Sequence, residues 1–570
     1  PSSSAARPRA LHRREVGSRL PESNLRTEIA VIGGGLGGVA AALAALKLGC
    51  SVVLTEETEW LGGQLTAQAV PPDEHPWIDH LGSTGSYREF RRRVRDYYRR
   101  NYPLLSEVRD QSRFNPGMGF VSELCAEPRA AVACLEEMLA PFRATGRLQV
   151  RMQCAPISVV QDGDRFSAVE LRDGRSGETF FVEAEYVLDA TELGDLLVLG
   201  GVEHVVGAEG QSDTGEPHAL EVADPLNQQS HSWCFALSHH PGEDHTIAKP
   251  DDYEFWRAHH IPDWPETQLS WTVVHPITLE AQTRPLFVGD SDAPILNDLW
   301  HFRRILYRRY YPAGFYSSDV TVANWPQLDY TLGPLTGVTQ EEAQRSRDGA
   351  RALSLAMVHW MQTEAPRPDG GNGYPGLKLR GDVTGTSDGL AMYPYVRESR
   401  RIKAEFTVLE QHVSKDARAG LDGAEQFADS VGTGSYRIDL HPSTRGRNFV
   451  DISTYPFQVP LGALLPIRLQ NLLPAAKNIG TTHVTNGCYR LHPVEWNVGE
   501  VAGALAAFSL TRGLEARRVR TDRVLLSEFQ DLLVSRFDVP LTWPDEIRRL
   551  PRDLPFGTSD AYGRSGLEHD

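Results

Sequence analysis

Residues 28–56 read EIAVIGGGLGGVAAALAALKLGCSVVLTE, and the order of features in this stretch decides the fold. A short apolar run leads into Gly33-x-Gly35-x-x-Gly38, an alanine- and leucine-rich segment follows, and a second apolar run ends at Glu56. Strand, glycine turn, helix and strand in this order are typical of a βαβ unit with parallel strands. We therefore predict an α/β protein whose first turn binds a dinucleotide.

The three glycines each have a physical role in such a unit. Gly33 permits the tight turn out of the strand, Gly35 lets backbone amides approach a pyrophosphate, and Gly38 lets the helix pack closely on the sheet. The helix N-terminus adds unpaired N–H groups and the positive end of its dipole. Glu56 is placed to accept hydrogen bonds from a ribose 2′-hydroxyl and would repel a 2′-phosphate, so the pattern favours FAD or NAD over NADP.

A second match to the glycine pattern does not have the same context. Gly371-Asn-Gly373-Tyr-Pro-Gly376 follows a proline- and glycine-rich stretch instead of a strand, and Pro375 stands where a helix would begin. We predict a loop here, and hence a single dinucleotide site.

Composition and charge narrow the class of protein. The chain has 570 residues, of which 41% are hydrophobic and 23% charged, and its formal net charge is −17. The length predicts about two to four domains, and the negative charge argues against a nucleic-acid partner. The six cysteines have no CxxC or metal-ligand spacing, which predicts a reduced, cytoplasmic protein without a metal site. No apolar run is long enough to predict a membrane span. Residues 1–27 lack the apolar core of an intact signal peptide, although processing upstream of Pro1 stays open.

Four separated segments carry a family resemblance. They are the glycine fingerprint with Leu61-Gly62-Gly63 after it, Asp189-Ala-Thr-Glu-Leu-Gly-Asp195, Arg397-Glu-Ser-Arg-Arg-Ile402, and the glycine-containing stretch 480–503. In order and spacing they resemble the FAD-dependent oxidoreductases of the glutathione-reductase-like superfamily. Glu192 and Leu193 depart from the glycine-containing residues that many members carry there, which leaves the local flavin contact open.

The resemblance implies a fold, a cofactor and a set of cofactor-binding residues. The fold is a Rossmann-like FAD-binding domain of the glutathione-reductase type (ββα with a β-meander) with an inserted α+β substrate or cap domain. The pyrophosphate of FAD would lie on the first helix and the isoalloxazine ring near the last, whose positive end would stabilise a reduced flavin. A buried packing helix is the alternative interpretation of that last helix. The implied FAD-binding residues are Gly33, Gly35, Leu36, Gly37, Gly38, Glu56, Gly62, Gly63, Gln64, Thr191, Asp195, Asn497, Val498 and Gly499.

The domain organisation follows from changes in composition along the chain. Residues 215–465 are dense in tryptophan, tyrosine, proline and histidine, as in a loop-rich substrate domain. We predict a flexible N-terminal segment (1–25), a discontinuous FAD-binding domain (26–214 plus 466–515), a substrate or cap domain (215–465), and a C-terminal helix and tail (516–570). Apolar periodicity predicts helices at 87–98, 130–139, 343–361, 399–412, 497–510 and 522–534, and strands at 148–153, 157–160, 166–171, 179–182 and 186–189.

Missing motifs exclude two flavoprotein chemistries. Dithiol exchange needs a cysteine pair just after Leu-Gly-Gly, where this chain has Gln64-Leu65-Thr66. Flavin halogenases need a Trp-x-Trp-x-Ile-Pro stretch, which Glu495-Trp-Asn-Val-Gly does not supply. We predict an enzyme that oxidises a small organic substrate by hydride transfer to flavin N5, with O2 or another acceptor reoxidising the flavin. A flavin-dependent monooxygenase and a non-catalytic flavin-binding partner or maturation protein stay open as alternatives.

Candidate catalytic residues lie in a polar loop, 480–497, that should face the flavin ring. Removal of a hydride from a carbon bearing OH or NH also needs a base, and histidine suits neutral pH. The candidates are His483, His492, Glu495 and Tyr489. Each histidine has a structural alternative, a ring hydrogen-bonded to backbone.

Candidate substrate residues lie further upstream. Arg397 and Arg400 could bind a substrate carboxylate bidentately, and His231 and Trp325 could be pocket walls. Ion pairing and core packing are the structural alternatives. The predicted partner is a small-molecule substrate, and a homodimer stays open.

Overall fold

The computed structural model describes residues 24–288 and 298–553, so nearly all of the predicted segment 1–25 and the end of the C-terminal tail lie outside the described residues. In chain order the strands are β1 (Leu25–Ile32), β2 (Val52–Glu56), β3 (Leu148–Met152), β4 (Cys154–Asp162), β5 (Arg165–Asp173), β6 (Thr179–Asp189), β7 (His204–Val205), β8 (His231–Ser232), β9 (Phe235–His239), β10 (Thr272–Val274), β11 (Ala281–Thr283), β12 (Arg304–Leu306), β13 (Val320–Ala323), β14 (Asp329–Tyr330), β15 (Leu377–Leu379), β16 (Arg401–Ile402), β17 (Ser430–Gly434), β18 (Ile438–Leu440), β19 (Val450–Ile452), β20 (Phe457–Pro460) and β21 (Leu472–Pro474). The helices are α1 (Leu36–Lys47), α2 (Gly85–Asn101), α3 (Ser106–Arg109), α4 (Pro128–Ala144), α5 (Asp195–Leu199), α6 (Gln211–Thr214), α7 (Tyr253–Ala258), α8 (Leu299–Phe302), α9 (Gln340–Thr363), α10 (Gly381–Thr384), α11 (Glu410–Val413), α12 (His483–Tyr489), α13 (His492–Arg512), α14 (Ala516–Thr521), α15 (Arg523–Phe537) and α16 (Asp545–Arg548).

Seven strands form the central sheet. β3, β2, β1 and β6 lie side by side in parallel, and β21 pairs in parallel with the C-terminal end of β6. β5 and β4 continue antiparallel from the N-terminal half of β6 as a meander. All of β2 and the second half of β1 are buried, as expected of apolar strands covered on both faces. The predicted mixed α/β fold with a parallel sheet is confirmed, and the strands predicted at 179–182 and 186–189 are one continuous strand, β6.

α1 and α13 pack against each other through small residues. A Cβ atom added at Gly499 would lie 1.9 Å from the carbonyl oxygen of Gly37, and one at Gly503 would lie 2.1 Å from that of Ala41. Contact this close requires that both glycines lack a side chain. The packing brings the first turn of α1 beside the first turns of α13.

A second sheet lies in the middle of the chain. β12, β13, β9 and β15 form four antiparallel strands, and the long helix α9 begins at a capping box between Thr339 and Glu342. Within the two described ranges, no helix combines the length and the apolar character that crossing a membrane requires.

Two predicted elements differ from the structure. The helix predicted at 399–412 is absent; β16 and the single turn α11 lie there, because the extended segment pairs with β7 and the buried Arg401 forms ion pairs with Glu398 and Glu209. The helix predicted at 497–510 begins earlier, at His492, and the preceding residues form α12. The prediction of a loop over 480–497 is therefore wrong. Pro493 in the first turn of α13 is a helix-start signal that the prediction overlooked.

Candidate functional site

The first turn of α1 is shaped by glycines. Gly33 has φ +103°, and a Cβ there would lie 2.2 Å from the carbonyl oxygen of Ala190 at the end of β6. A Cβ at Gly38 would lie 2.0 Å from the carbonyl oxygen of Gly33. Gly35 begins α1 and has no side chain to cap the helix, so the first amides, including those of Leu36 and Gly37, point toward the space in front of it.

Glu56 ends β2 beside this turn. Its Oε2 accepts a hydrogen bond from the Gly34 amide at 2.8 Å, and its Oε1 accepts from Thr58 at 2.8 Å (N) and 2.7 Å (Oγ1). Burial raises the pKa of this carboxyl. A cleft of about 520 Å³ opens next to it at the carboxyl ends of β2 and β3, between Glu57, Gln153 and Tyr393. In parallel sheets this edge is where ligands bind.

The second glycine pair meets the same turn. The Gly62 amide donates to the Gly34 carbonyl at 2.8 Å, and a Cβ at Gly63 would lie 2.9 Å from the Gly35 Cα. Both residues have positive φ, +110° and +49°, which favours glycine. The two backbones therefore approach each other closely, and the Glu192 carboxylate lies beside both glycines.

Buried charged groups surround the facing glycines. Lys477 Nζ lies 2.5 Å from Glu192 Oε2 and 3.9 Å from Glu495 Oε2. Glu495 also accepts hydrogen bonds from the Gly37 amide at 3.4 Å and from the Gln64 side chain. Burial raises the pKa of Glu495, and Glu192 raises it further, although Lys477 opposes both.

The Asp-Ala-Thr segment is joined to the Arg-Glu-Ser-Arg segment. Thr191 Oγ1 donates to Asp189 Oδ1 and accepts from the Asp195 amide, both at 2.7 Å. Arg400 Nη1 donates to Asp195 Oδ1 at 3.0 Å and to the Leu193 carbonyl at 2.8 Å. Arg400 is thus occupied at the predicted cofactor site, and its role in substrate binding stays a prediction.

The other candidates on α12 and α13 are held by protein partners. Tyr489 donates to the Gln458 carbonyl at 2.7 Å and stacks on Phe457, and His483 Nδ1 lies 2.9 Å from Glu398 Oε2. Asn497 donates to the Val431 carbonyl at 3.2 Å. Val498 and Gly499 are buried in the same helix. The catalytic and flavin roles of these residues stay predictions.

His492 fastens the segment after the second glycine pair to α13. Its Nδ1 accepts from the Asp73 amide at 3.1 Å, which leaves Nε2–H to donate to the Val70 carbonyl at 3.2 Å. Burial lowers the pKa of His492 to about 3, so the ring is neutral at neutral pH. Both nitrogens are used, and a role as base has no support from these contacts.

A cavity of about 200 Å³ adjoins this region. Two of its lining residues are bonded to residues near the glycine pair: the Arg490 carbonyl accepts from Gln64 at 3.1 Å, and the Asp73 amide donates to His492. Of the predicted substrate residues, only Arg397 lines it. His231 packs on Tyr330, and Trp325 is fully buried in the core. The walls come mainly from within 273–284, 299–303, 324–327, 395–397 and 436–451, together with Asp73, Arg490 and Arg552.

His441 lines the cavity and was missed by sequence reasoning. Its Nδ1 lies 2.6 Å from Oδ2 of the fully buried Asp329, whose Oδ1 lies 3.0 Å from Arg397 Nη1. Burial alone would raise the pKa of Asp329, but Arg397 and His441 more than offset it and hold that pKa below its usual value. Asp329 and His441 are 112 positions apart, so no local spacing could have indicated the pair. Within the described residues, no group of three or more acidic, histidine or cysteine side chains is placed to bind a metal.

Comparison with known families identifies the chain. A model of the family described as FAD dependent oxidoreductase matches residues 28–533. The chain belongs to this family.

Solved structures resemble the chain only weakly. A geranylgeranyl bacteriochlorophyll reductase-like protein from Thermoplasma acidophilum is 10% identical, with 90% of this chain and 84% of that chain covered and a TM-score of 0.28. The L-proline dehydrogenase from P. horikoshii is 17% identical, with 33% and 25% covered and a TM-score of 0.17. The flavin-dependent monooxygenase PieE is 12% identical, with 58% and 47% covered and a TM-score of 0.25. The chain spans only 25–45% of the length of the first three structures matched. A search of curated proteins found no match.

FAD is the cofactor that the family match supports, and the residues around α1 fit it. Gly35 and Gly63 place no side chain of their own at the first turn of α1, and the first amides of α1 and Lys477 supply donors and positive charge for a phosphate. Glu56 retains lone pairs for ribose hydroxyls, and the cleft beside it can take an adenosine. Glu192 and Glu495 bring negative charge to the same place, and Lys477 lies between them.

Proposed function

We propose that the protein oxidises a small organic molecule held in the 200 Å³ cavity. The observation that carries this proposal is the shared wall between cavity and cofactor region: Arg490 lines the cavity while its carbonyl binds Gln64, and Asp73 lines it while its amide binds His492. FAD, when bound, supplies a two-electron acceptor that takes a hydride from the substrate.

His441 is the proposed base. It lines the cavity, and the buried Asp329 takes its Nδ1–H, which leaves Nε2 to accept a proton from a substrate OH or NH. Asp439 Oδ2, 3.7 Å from Nε2, lies close enough to stabilise the protonated ring. Arg397 keeps Asp329 ionised and hence the ring oriented.

We further propose the domain organisation predicted from the sequence, with a glutathione-reductase-type FAD-binding domain and a cap domain over 215–465. The return of the chain to the central sheet at β21, after residue 465, supports a discontinuous first domain. The cavity supports the cap domain, because most of its lining residues fall between 273 and 451.

Anaerobic reduction of the FAD-loaded protein tests the function. A panel of alcohols, amines and amino acids is mixed with the protein, and the visible flavin absorbance is followed. We expect at least one compound to bleach the flavin and O2 or an added acceptor to restore it. Bleaching by NADH or NADPH alone would favour the monooxygenase, and FAD binding with no bleaching at all would favour the non-catalytic partner.

A further inference from the structure

We propose that the substrate is an organic acid whose carboxylate is bound by Arg303, Arg397 and Arg490, an inference that rests on the proposed function of the cavity. The proposed substrate has an apolar body and a carboxylate group at one end. It follows from the charges of the cavity wall, from the incomplete bonding of these arginines and from the nature of the remaining wall.

The cavity wall carries an excess of positive charge. Six arginines line it against three aspartates, a formal excess of three charges. Arg437 is fully engaged by Asp451 and by the Arg552 carbonyl. Asp439 accepts from Arg490 at 3.2 Å, and Asp73 lies 3.4 Å from Arg303. Asp329, which does not line the cavity, pairs with Arg397. Even with it, four aspartates face six arginines and balance only part of the charge, in a protein whose overall charge is −17.

Three of these arginines are buried with an N–H group unused. Arg303, Arg397 and Arg490 are 7%, 2% and 3% exposed, and the Nε of each has no hydrogen-bond partner among the described residues. Buried, unpaired donors on charged groups are unfavourable, and native proteins rarely keep them without a function. A carboxylate is the anion whose two oxygens match the planar fork of a guanidinium.

Much of the remaining cavity wall is apolar, and two of its aromatic rings stack on the arginine guanidinium groups. Leu299, Phe302 and Phe449 line the cavity with Tyr395 and Tyr436. The Arg303 guanidinium lies 4.6 Å from the Phe302 ring centre, and that of Arg397 lies 5.3 Å from the Tyr395 ring centre. Stacking of this kind fixes the orientation of the donors. A small acid with an apolar or aromatic body fits such a wall better than inorganic phosphate.

Matched pairs of probes test the inference without any turnover. Binding of acetate, butanoate, benzoate and phenylacetate to the FAD-loaded protein is measured by calorimetry at low ionic strength, each against its own amide, with inorganic phosphate as a further probe. We expect at least one carboxylate to bind about tenfold to a hundredfold more tightly than its amide, the range expected for hydrogen bonds to charged groups.

Two variants and a control test whether the preference for a carboxylate over its amide arises in the cavity. Asn324→Asp is isosteric and adds a negative charge to the wall, where the Asn324 Oδ1 has no hydrogen-bond partner. Arg397→Lys keeps the charge but loses the fork. Both should remove most of the preference, whereas Arg93→Gln, an exposed arginine paired with Glu89 on α2, should retain it.

The outcomes separate this inference from the proposed function. Any of three results overturns the inference: no carboxylate is preferred over its amide, the preference persists in Asn324→Asp, or phosphate binds more tightly than every carboxylate. Each of them does so even where a neutral compound bleaches the flavin. If carboxylates are preferred and the variants lose the preference while no compound bleaches the flavin, the anion site stands and the oxidase proposal fails.

Discussion

His441 owes its orientation to two residues that are distant in sequence. Asp329 binds its Nδ1, and Arg397 binds the other oxygen of Asp329. Asp329 does not line the cavity, so it acts on the substrate through the ring of His441, whereas Arg397 lines the cavity itself. In the proposed reaction, His441 therefore accepts the proton and Asp329 positions its ring.

Replacement of His441 by Gln should lower the rate of flavin bleaching by about a hundredfold to a thousandfold, the usual effect of losing a general base. Binding of the substrate should change little. Stopped-flow reduction at several pH values measures both quantities. His359→Gln is the comparison, because His359 on α9 lies against the Ile247 carbonyl and is not a lining residue of the cavity; it should leave the rate unchanged. Equal losses of rate in the two variants would remove His441 from the mechanism.

Replacement of Glu56 by Gln should weaken FAD binding about tenfold. The glutamine side chain has the same shape as that of glutamate but only one acceptor oxygen, which already accepts a hydrogen bond from Gly34 or Thr58. It also lacks the negative charge that strengthens hydrogen bonds from ribose hydroxyls. Titration of the apoprotein with FAD, followed by flavin fluorescence, gives the dissociation constant. Glu136→Gln on the surface of α4 is the control. Unchanged affinity in Glu56→Gln would mean that the ribose lies elsewhere.

At the scale of elements, α1 and α13 behave as one unit. Their contact is made by glycine and alanine backbones, and it sets the distance between the amides of α1 and the first turn of α13. Any change that separates these helices therefore disturbs the cofactor region even when it touches no cofactor atom.

Gly499→Ala should destabilise the protein by about 1–3 kcal/mol, as overpacking of a core does. In an open helix position the same change would stabilise by about 1 kcal/mol; the sign reverses here because the new Cβ would lie 1.9 Å from the Gly37 carbonyl oxygen. Urea denaturation measures the effect. A Gly499→Ala variant that is as stable as the wild type would show that the helices can separate freely.

The secondary-structure elements that were predicted correctly are those whose signals lie within a short stretch of sequence. The strand, turn and helix of 28–56 and the meander were predicted because glycine turns and apolar periods are local signals. The helix prediction for 399–412 was wrong because Arg401 lies in an extended segment that pairs with β7 and is buried in an ion pair with the distant Glu209. The cavity brings together residues 73, 303, 397, 441 and 490, and no local pattern encodes that meeting.

At the scale of the whole molecule, three buried histidines make the fold sensitive to acid. Burial lowers the pKa of His75, His231 and His492 to about 3 each. In the unfolded chain these histidines have the ordinary pKa of 6.5. Between pH 6.5 and 3 the unfolded chain therefore binds protons that the folded protein does not. The free energy of unfolding is unaffected by them above pH 6.5 and decreases as the pH falls from 6.5 toward 3. Each adds a slope of about 1.4 kcal/mol per pH unit in that range.

Urea denaturation between pH 7.5 and 5 measures this slope. The His231→Gln variant should have a shallower slope than the wild type, by one proton taken up on unfolding. An identical slope in wild type and His231→Gln would contradict the assignment of a neutral, buried ring.

The cavity also depends on a part of the chain beyond the family match. Arg552 lines it and donates to the Glu74 and Ser435 carbonyls, and Trp543 packs edge-on to His75. The matched region ends at residue 533. An expression fragment trimmed to that boundary would lose Arg552 from the cavity wall, and with it one of the six positive charges there.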